Sequence, residues 1–499
     1  MDQIHITKIN ETYLKITCDD FGIKQELSEY FSFLVPGYKF MPAYKNGSWD
    51  GILRLYGKNQ TLLAGLFGYV EKFCERNGYE LEYVPTENHE DPRITNNLNK
   101  DVVAEWINSL EHSSKGNAVQ VYPHQIDGIY TALNENRVTL ESPTSSGKSL
   151  MIYSMIRWHL NFKRKILLIV PTTQLCEQMY SDFADYSGTT AWNVEDHCQR
   201  LYSGFSKIIE KPVLISTWQS LIKQPPEYYK QFDAVICDEV HLAKGASITS
   251  ILEKMTNTKY RIGLTGTLDD AKVNQLVVTG LFGRVHKVIT TRELMDAGKV
   301  VDLDIRGIIL KHNEEDRKLI KGAEFKDEMA FLTQHQKRNK FIAGLAISCK
   351  GNTLVLCTLI DKHLKPLTEL IKKKVGEDRN VYMIYGDIKP EDRETIRLQL
   401  ASESNAIILG SFATMSTGIN IPSIENIILA SSSKSKIRNL QSIGRGLRLM
   451  TGKTKCKLFD ICDNLTYKKK ENHVFRHFKE RLEQYAKEEF QFKLVEVDL

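Results

Sequence analysis

Val138-Thr-Leu-Glu-Ser-Pro-Thr-Ser-Ser-Gly-Lys-Ser149, followed at once by LMIYSMIRWHL (150–160), decides the fold. The apolar run predicts a strand over Val138–Glu141, the Ser/Pro/Gly stretch a tight loop, and the apolar spacing after it a helix. In such a loop the backbone N–H groups turn inward around phosphate oxygens, and the helix dipole adds positive potential at the same place. Pro143, Thr144, Ser145, Ser146 and Gly147 form the candidate cradle for the phosphates of ATP. Lys148 is placed to reach the β- and γ-phosphates, and the Ser149 hydroxyl to ligate Mg²⁺. Gly147 permits close backbone approach. Ser142 stands where the first glycine of GxxxxGK[ST] is usual.

Working outward, the same texture recurs. RVTLESPT (137–144), KILLIVPT (165–172), PVLISTWQ (212–219), FDAVICDE (232–239) and RIGLTGT (261–267) are short apolar runs, each ending in turn residues and followed by a helical pattern. The pattern pauses around 285–340 and resumes with NTLVLCTL (352–359), VYMIYGD (381–387), NAIILGSF (405–412) and ENIILAS (425–431). Near-continuous apolar strands alternating with helices predict parallel sheets covered on both faces. The fold class is therefore α/β, with two tandem parallel-sheet lobes. The preceding residues read differently. IHITKI (4–9), YLKITCD (13–19) and GILRLYG (51–57) are short alternating segments, with a helix expected near Leu62–Asn77, which makes a small α+β domain. The boundaries are set at 1–88 for this domain, 89–118 for a linker with a helical patch at Val102–Leu110, 119–288 for the ATP-binding lobe, 289–340 for a connecting region, 341–466 for the second lobe, and 467–499 for a charged helical tail.

The second chemical element is Phe232-Asp-Ala-Val-Ile-Cys-Asp-Glu-Val-His241. An apolar strand ending in two adjacent acids fits a sheet edge that faces the nucleotide. Asp238 is assigned to Mg²⁺ and Glu239 to orienting and deprotonating the attacking water. His241 is read as coupling this site onward. Bulk properties agree with a 499-residue intracellular protein of about three domains. No apolar run approaches the ~18–20 residues of a membrane helix. The start, MDQIHITKIN, lacks a signal pattern, and nine dispersed cysteines with no CxxC pair fit reduced thiols, hence a cytoplasmic location. The net charge of +5 is uneven: residues 1–115 carry 12 Lys+Arg against 17 Asp+Glu, a balance of −5, which leaves +10 for the rest. Residues 431–470 hold 11 basic residues against 2 acids, which reads either as a phosphate-backbone footprint or as a solvated face.

In this order the motifs resemble those of superfamily-two helicases and translocases over roughly residues 120–460. The resemblance implies RecA-like lobes. It also implies that Tyr122-Pro-His-Gln125 is the adenine segment, with Gln125 on the base edge and Tyr122 stacking on it. Pro171-Thr172-Thr-Gln174 and Ser216-Thr217 become first-lobe contacts to the strand backbone, Leu264-Thr-Gly-Thr267 the segment coupling hydrolysis to unwinding, and Thr358 with Tyr385-Gly386 second-lobe contacts. Ser416-Thr417-Gly418-Ile-Asn420 would touch both ATP and nucleic acid, with Gly418 on the nucleotide side and Asn420 where Asp is common. Gln441-Ser-Ile-Gly-Arg445-Gly-Leu-Arg448 resembles the arginine-finger segment. Arg445 and Arg448 share a helix face, and planar guanidinium groups suit γ-phosphate charge. DEVH with TGT, Gly280-Leu-Phe-Gly283 and Leu294-Met-Asp-Ala-Gly-Lys-Val300 is similar to the UvsW-type phage recombination helicases and unlike RNA remodellers whose quartet ends in Asp. Val35–Gly51 resembles the segment that precedes such motors.

That resemblance implies a monomeric ATP- and Mg²⁺-dependent DNA helicase in a bacterial host cell. Its partners would be single-stranded and branched DNA (forks, Holliday-type junctions, R-loops) and phage recombination proteins. In the N-terminal domain, Lys39, Lys45, Arg54 and Lys58 surround Tyr38, Tyr44 and Trp49, which suits stacking beside exposed bases; a Trp49 packed in the domain core is the alternative. Lys337, Arg338 and Lys340 are read as the wet face of a connecting helix. A translocating motor subunit of a restriction system is the competing function. It requires a nuclease site, and no PD…(D/E)xK cluster stands outside the motor segments.

Overall fold

The computed structural model describes residues 3–86, 91, 94–188, 190–204, 206–244, 246–268, 271–416, 423–431, 444, 447, 449 and 453–499. The chain divides into two units, one of residues 1–142 and 146–289, the other of residues 143–145 and 290–499.

In the first unit, seven strands form one parallel sheet in the order Cys198–Leu201, Val213–Thr217, Ile166–Val170, Ala234–Asp238, Tyr260–Thr265, Arg137–Glu141, Val285–Lys287. The four central strands after the second are buried at nearly every position, as expected of a sheet covered by helices on both sides. Strand order brings the phosphate-loop strand beside Tyr260–Thr265, whose other neighbour is Ala234–Asp238. Thr265 pairs with Glu141 and Leu264 with Asp238, so the ends of all three strands lie at the same carboxyl edge.

The N-terminal domain is a four-stranded mixed sheet in the order Thr61–Leu63, Tyr13–Thr17, Gln3–Lys8, Glu80–Tyr83, carrying helices Phe21–Tyr30 and Phe67–Asn77. The helix expected from Leu62 begins only at Phe67, because Thr61–Leu63 is held as a strand against Tyr13–Lys15. This sheet shares one core with the first lobe: Ile4, Ile16, Leu66 and Phe73 belong to the same apolar cluster as Leu276, Leu281 and Phe282. The seam is tight and polar groups cross it. Arg261 is fully buried and donates to Thr12 Oγ1 (2.7 Å) and to the Leu252 carbonyl (3.2 Å). The Glu11 amide donates to the Thr256 carbonyl (2.9 Å). A Cβ on Gly65 would lie 2.0 Å from the Thr279 carbonyl oxygen. The segment read as a linker is also packed down. Its helix Lys100–Asn108 buries Val103 and Ile107 in the lobe core, and the Asp185 carboxylate accepts from Ser114 Oγ and the Lys115 amide.

The second unit repeats the seven-stranded parallel sheet in the order Val381–Ile384, Ile407–Ser411, Asn352–Cys357, Ile424–Leu429, Lys455–Asn464, Asp302–Lys311, Phe492–Asp498. Three of these strands were not anticipated. The connecting region supplies Asp302–Lys311. The stretch read as a helical tail supplies helix His473–Lys487 and then an edge strand, Phe492–Asp498. The wet face assigned to the connecting helix is corrected at Arg338. Lys337 and Lys340 are exposed, but Arg338 is 2% exposed, with Nε 2.9 Å from both Asp463 carboxylate oxygens and Nη2 donating to the Ala430 carbonyl (2.7 Å). A second buried pair, Arg481 with Asp460, ties the C-terminal helix to the same sheet. All nine cysteines are free thiols and buried. Among the described residues no helix is long and apolar enough to cross a membrane.

Candidate active site

The loop Ser142–Gly147 leaves strand Arg137–Glu141 and meets helix Lys148–Asn161. Its left-handed positions are Ser145 (φ 72) and Gly147 (φ 86), while Ser142 has no positive φ. That explains the serine in place of a glycine. Ser142 is fully buried, its amide donates to the Thr265 carbonyl (2.8 Å), and its hydroxyl closes the loop onto Ser146 Oγ (2.6 Å). Gly147 has no such freedom, since an added Cβ would fall 2.1 Å from Gln125 Nε2. Gln125 is itself buried. Its side-chain oxygen accepts from the Tyr122 amide (2.9 Å), and its amide nitrogen donates to the Ser146 carbonyl (3.0 Å), so the expected adenine segment also braces the loop from beneath. Tyr122 caps helix Pro123–Glu135, with its ring stacked near His124. Pro143, Thr144 and Ser145 are half-buried at the loop.

Lys148 Nζ folds back to the Ser142 carbonyl (2.9 Å), and Ser149 Oγ shares a hydrogen bond with Tyr186 OH (2.7 Å). Tyr186, from helix Thr173–Tyr186, is a residue that sequence reasoning missed; no motif marks it. Across the edge, Asp238 is buried. Its burial and then the charge of Glu239 push its carboxyl up to about 7, with the Lys148 charge opposing. A buried acid beside a second acid is a place where a divalent cation stabilises the charged form, so Asp238 and Ser149 fit the Mg²⁺ expected with a bound nucleotide. Glu239 adopts φ 56, an uncommon backbone for a non-glycine residue.

His241 settles into a defined place. It is 7% exposed, and its Nδ1 lies 3.0 Å from Thr265 Oγ1 and 3.1 Å from Glu239 Oε2. Thr265 Oγ1 donates its proton to the Thr267 carbonyl (3.0 Å), so toward His241 it accepts the Nδ1–H, while the Glu239 carboxylate is a close charge neighbour of the ring. One imidazole, two residues past the acid pair's glutamate, is thereby bonded to the TGT segment. Neighbouring strands make that connection, and no spacing in the chain reveals it.

The residues expected to touch nucleic acid sort unevenly. Pro171 and Thr172 follow strand Ile166–Val170; the Thr172 hydroxyl caps helix Thr173–Tyr186 by accepting from the Leu175 amide (3.2 Å), and Gln174 is exposed. Ser216 is corrected: it is fully buried, and its hydroxyl is spent on the carbonyls of Leu201 (2.9 Å) and Thr217 (3.2 Å), so it fixes the strand end and presents no side chain to a ligand. Thr217 is buried, with its hydroxyl 3.2 Å from Ser220 Oγ. In the second unit Thr358 is exposed just past strand Asn352–Cys357, its amide donating to Ser431 Oγ (3.2 Å). Ser416 ends helix Phe412–Ser416. Thr417, Gly418, Asn420, Arg445 and Arg448 lie outside the described residues. In the N-terminal domain Lys45 and Arg54 are exposed, and Arg54 pairs with Asp50 (2.5 Å). Trp49 is half-buried, donates Nε1–H to the Ile52 carbonyl (2.9 Å) and takes no part in the domain core. Tyr38 and Tyr44 meet edge to face at 4.7 Å, beside Phe40, which is 81% exposed.

A parallel sheet with a phosphate loop, an acid pair two strands away and a threonine bonded to the histidine beside that pair defines a phosphate-loop NTPase lobe; its tandem with a second sheet of the same kind is the two-lobe architecture of helicase motors. Comparison with known proteins makes this specific. Family models described as "DNA helicase UvsW, N-terminal", "Type III restriction enzyme, res subunit" and "Helicase conserved C-terminal domain" match residues 3–84, 95–270 and 336–450. The chain is 34% identical over 508 aligned positions to the ATP-dependent DNA helicase uvsW of Enterobacteria phage T4, covering 98% of each. It is 25% identical to the putative mitochondrial ATP-dependent helicase irc3 of Schizosaccharomyces pombe, over 70% of this chain and 58% of that one. The crystal structure of T4 UvsW matches with a TM-score of 0.53 and 32% identity, covering 99% of both chains. The chain belongs to the UvsW family of ATP-dependent DNA helicases.

Proposed function

We propose that this helicase unwinds and remodels branched DNA (forks, Holliday-type junctions and R-loops) in phage recombination, repair and replication, acting as a monomer in the cytoplasm of a bacterial host. The observation that carries the reading is the union of the N-terminal domain with the first lobe through one apolar core and the buried Arg261 seam. An exposed Tyr44, Lys45 and Arg54 then move as one body with the ATP-binding sheet, so a domain that recognises a branch point travels with the motor.

Within that reading Pro143–Gly147 cradle the phosphates and Lys148 meets the β/γ oxygens. Ser149 and Asp238 hold Mg²⁺, whose charge would offset that of the phosphates. Glu239 orients the attacking water and takes its proton, with His241, bonded to Thr265, beside its carboxylate. Arg445 and Arg448 supply the second lobe's charge to the γ-phosphate. Tyr122 and Gln125 face the adenine, Gly418 the nucleotide, and Pro171, Thr172, Gln174, Thr217, Thr358, Ser416 and Thr417 the strand.

The test is ATP-driven unwinding of a forked duplex, a Holliday-type junction and an R-loop side by side, with ATP hydrolysis measured without DNA, with single strands and with each branched substrate. Branched DNA should stimulate hydrolysis and be unwound, and Lys148→Ala should abolish both. Hydrolysis that ignores DNA would defeat the reading. Replacing Tyr44, Lys45 and Arg54 together by Ala should weaken branched-DNA binding, with DNA-free hydrolysis as the fold control. A restriction translocase is the second reading, favoured only by the description of the model matching residues 95–270. DNA cleavage by the purified chain would support it.

A further inference from the structure

Strands Asp302–Lys311 and Lys455–Asn464 are parallel neighbours, and the segments that leave their carboxyl ends wall a cavity of about 440 Å³. That volume lies in the ~300–1,000 Å³ range of small-ligand sites. Crevices outside the carboxyl ends of open parallel sheets are also where such folds bind ligands. One wall is formed by residues 320–323, the other by residues from Leu465 to Arg476.

The cavity is built of positive charge over a neutralised floor. Its buried acid, Glu328, is 1% exposed, and its carboxylate accepts from Asn472 Nδ2 (2.6 Å) and from the amides of His473 and Val474 (2.8 Å each), so its charge is spent on the start of helix His473–Lys487. Glu471 pairs with Lys479. Lys321, Lys469, Lys470 and Arg476, all exposed, line the walls, with Arg476 Nη2 2.9 Å from His473 Nδ1. Lys470 Nζ lies against bare backbone, since a Cβ on Gly322 (φ 74) would sit 2.8 Å from it. The turn carrying the lysines is unusual. Tyr467 and Lys470 exchange backbone hydrogen bonds (3.2 and 3.0 Å) around Lys468 (φ 45) and Lys469 (φ 64). A two-residue turn with both φ positive normally takes Asn-Gly. Lys468 and Lys469 therefore sit on a backbone that is strained for side-chain-bearing residues.

We propose that this cavity receives a phosphodiester of the DNA backbone and anchors the strand on the second unit. The proposal rests on the DNA-motor reading above and names one of its contacts. The test uses the full chain and a labelled forked duplex, with binding measured across a KCl series. A K321Q/K470Q/R476Q variant is compared with a K372Q/K373Q/K374Q variant, which removes the same charge from exposed lysines on helix Lys365–Val375. The cavity variant should melt with the parent, bind about tenfold more weakly, and flatten the slope of log Kd against log salt by about 0.9, the signature of one lost phosphate contact. The control variant should keep the parental slope. Equal slopes in both variants overturn the proposal, as does a cavity variant that binds like the parent. Inorganic phosphate that competes for the cavity while DNA affinity is unchanged by the substitutions would assign it to free anions and likewise overturn the DNA claim. If the parent itself fails to bind DNA, the motor reading fails instead, and the two failures are told apart.

Discussion

Gly147 is constrained twice over. Its φ of 86 is costly for any side chain, and the space a Cβ would need is filled by Gln125 Nε2 at 2.1 Å. Gly147→Ala is therefore expected to push Gln125 off the Ser146 carbonyl and distort the loop, costing about 1–2 kcal/mol from the left-handed backbone alone. Titration with a fluorescent ATP analogue checks this: binding should weaken at least tenfold, and parental affinity would mean that the loop does not hold phosphates. Ser142 shows the reverse logic. The position that usually needs glycine does not need it here, because its φ is ordinary and its hydroxyl has a partner in Ser146. A motif departure that looks like a weakness in the chain is, in the fold, a satisfied buried hydrogen bond.

Among the elements, the seat of the N-terminal sheet on helix Lys272–Phe282 depends on bare backbone. A Cβ on Gly65 would meet the Thr279 carbonyl oxygen at 2.0 Å, the Gly280 carbonyl oxygen at 2.8 Å and the Gly283 nitrogen at 2.9 Å, none of which can swing away. Gly65→Ala should destabilise the first unit by about 1–3 kcal/mol, the usual range for overpacking. Urea unfolding reads the loss, and limited proteolysis should release the N-terminal domain first; a parental unfolding curve would show that the seam has slack. The elements also divide by legibility. Strands such as Ile166–Val170, Ala234–Asp238 and Ile407–Ser411 were plain in the chain because helices cover both faces, which leaves uninterrupted apolar runs. Lys455–Asn464 was hidden because its acids look like surface. Asp460 and Asp463 are fully buried, but each is answered by an arginine, Arg481 and Arg338, from elsewhere in the chain. Phe492–Asp498 was hidden because this edge strand buries no position and leaves most of them exposed, so no apolar run marks it. The candidate site followed the same rule. Lys148, Asp238 and Glu239 could be read from residue type and spacing. The Tyr186–Ser149 bond and the His241–Thr265 bridge could not, since both depend on which strands and helices end up side by side.

At the scale of the molecule, both units bury neutral histidines. Burial lowers His112 to about 4, His159 to about 3 and His363 to about 3. His112 Nε2 lies 2.9 Å from Ser154 Oγ, which donates to the Leu150 carbonyl and so accepts from the imidazole, and burial and the nearby Arg157 charge favour the neutral ring. A histidine whose folded value is depressed contributes stability that is intact above about 6.5 and is lost as the pH falls toward the folded value, because the unfolded chain takes up the proton first. For His112 the loss by pH 5 is about 2 kcal/mol. Urea-derived unfolding energies should therefore drop between pH 7.5 and 5. His112→Gln should remove part of that drop, and a flat profile would contradict the buried neutral state.

The nine buried thiols have a practical consequence for watching the motor run. Burial pushes Cys176, Cys357 and Cys456 up to about 12, and all nine are buried, the most accessible being Cys349 at 8%. A maleimide dye should therefore leave the native chain unmarked. A single cysteine introduced on each unit then becomes a unique attachment point in an otherwise natural sequence. Distances between two such dyes during ATP turnover would report the stroke directly, and delayed labelling of the native thiols would time how often each unit opens.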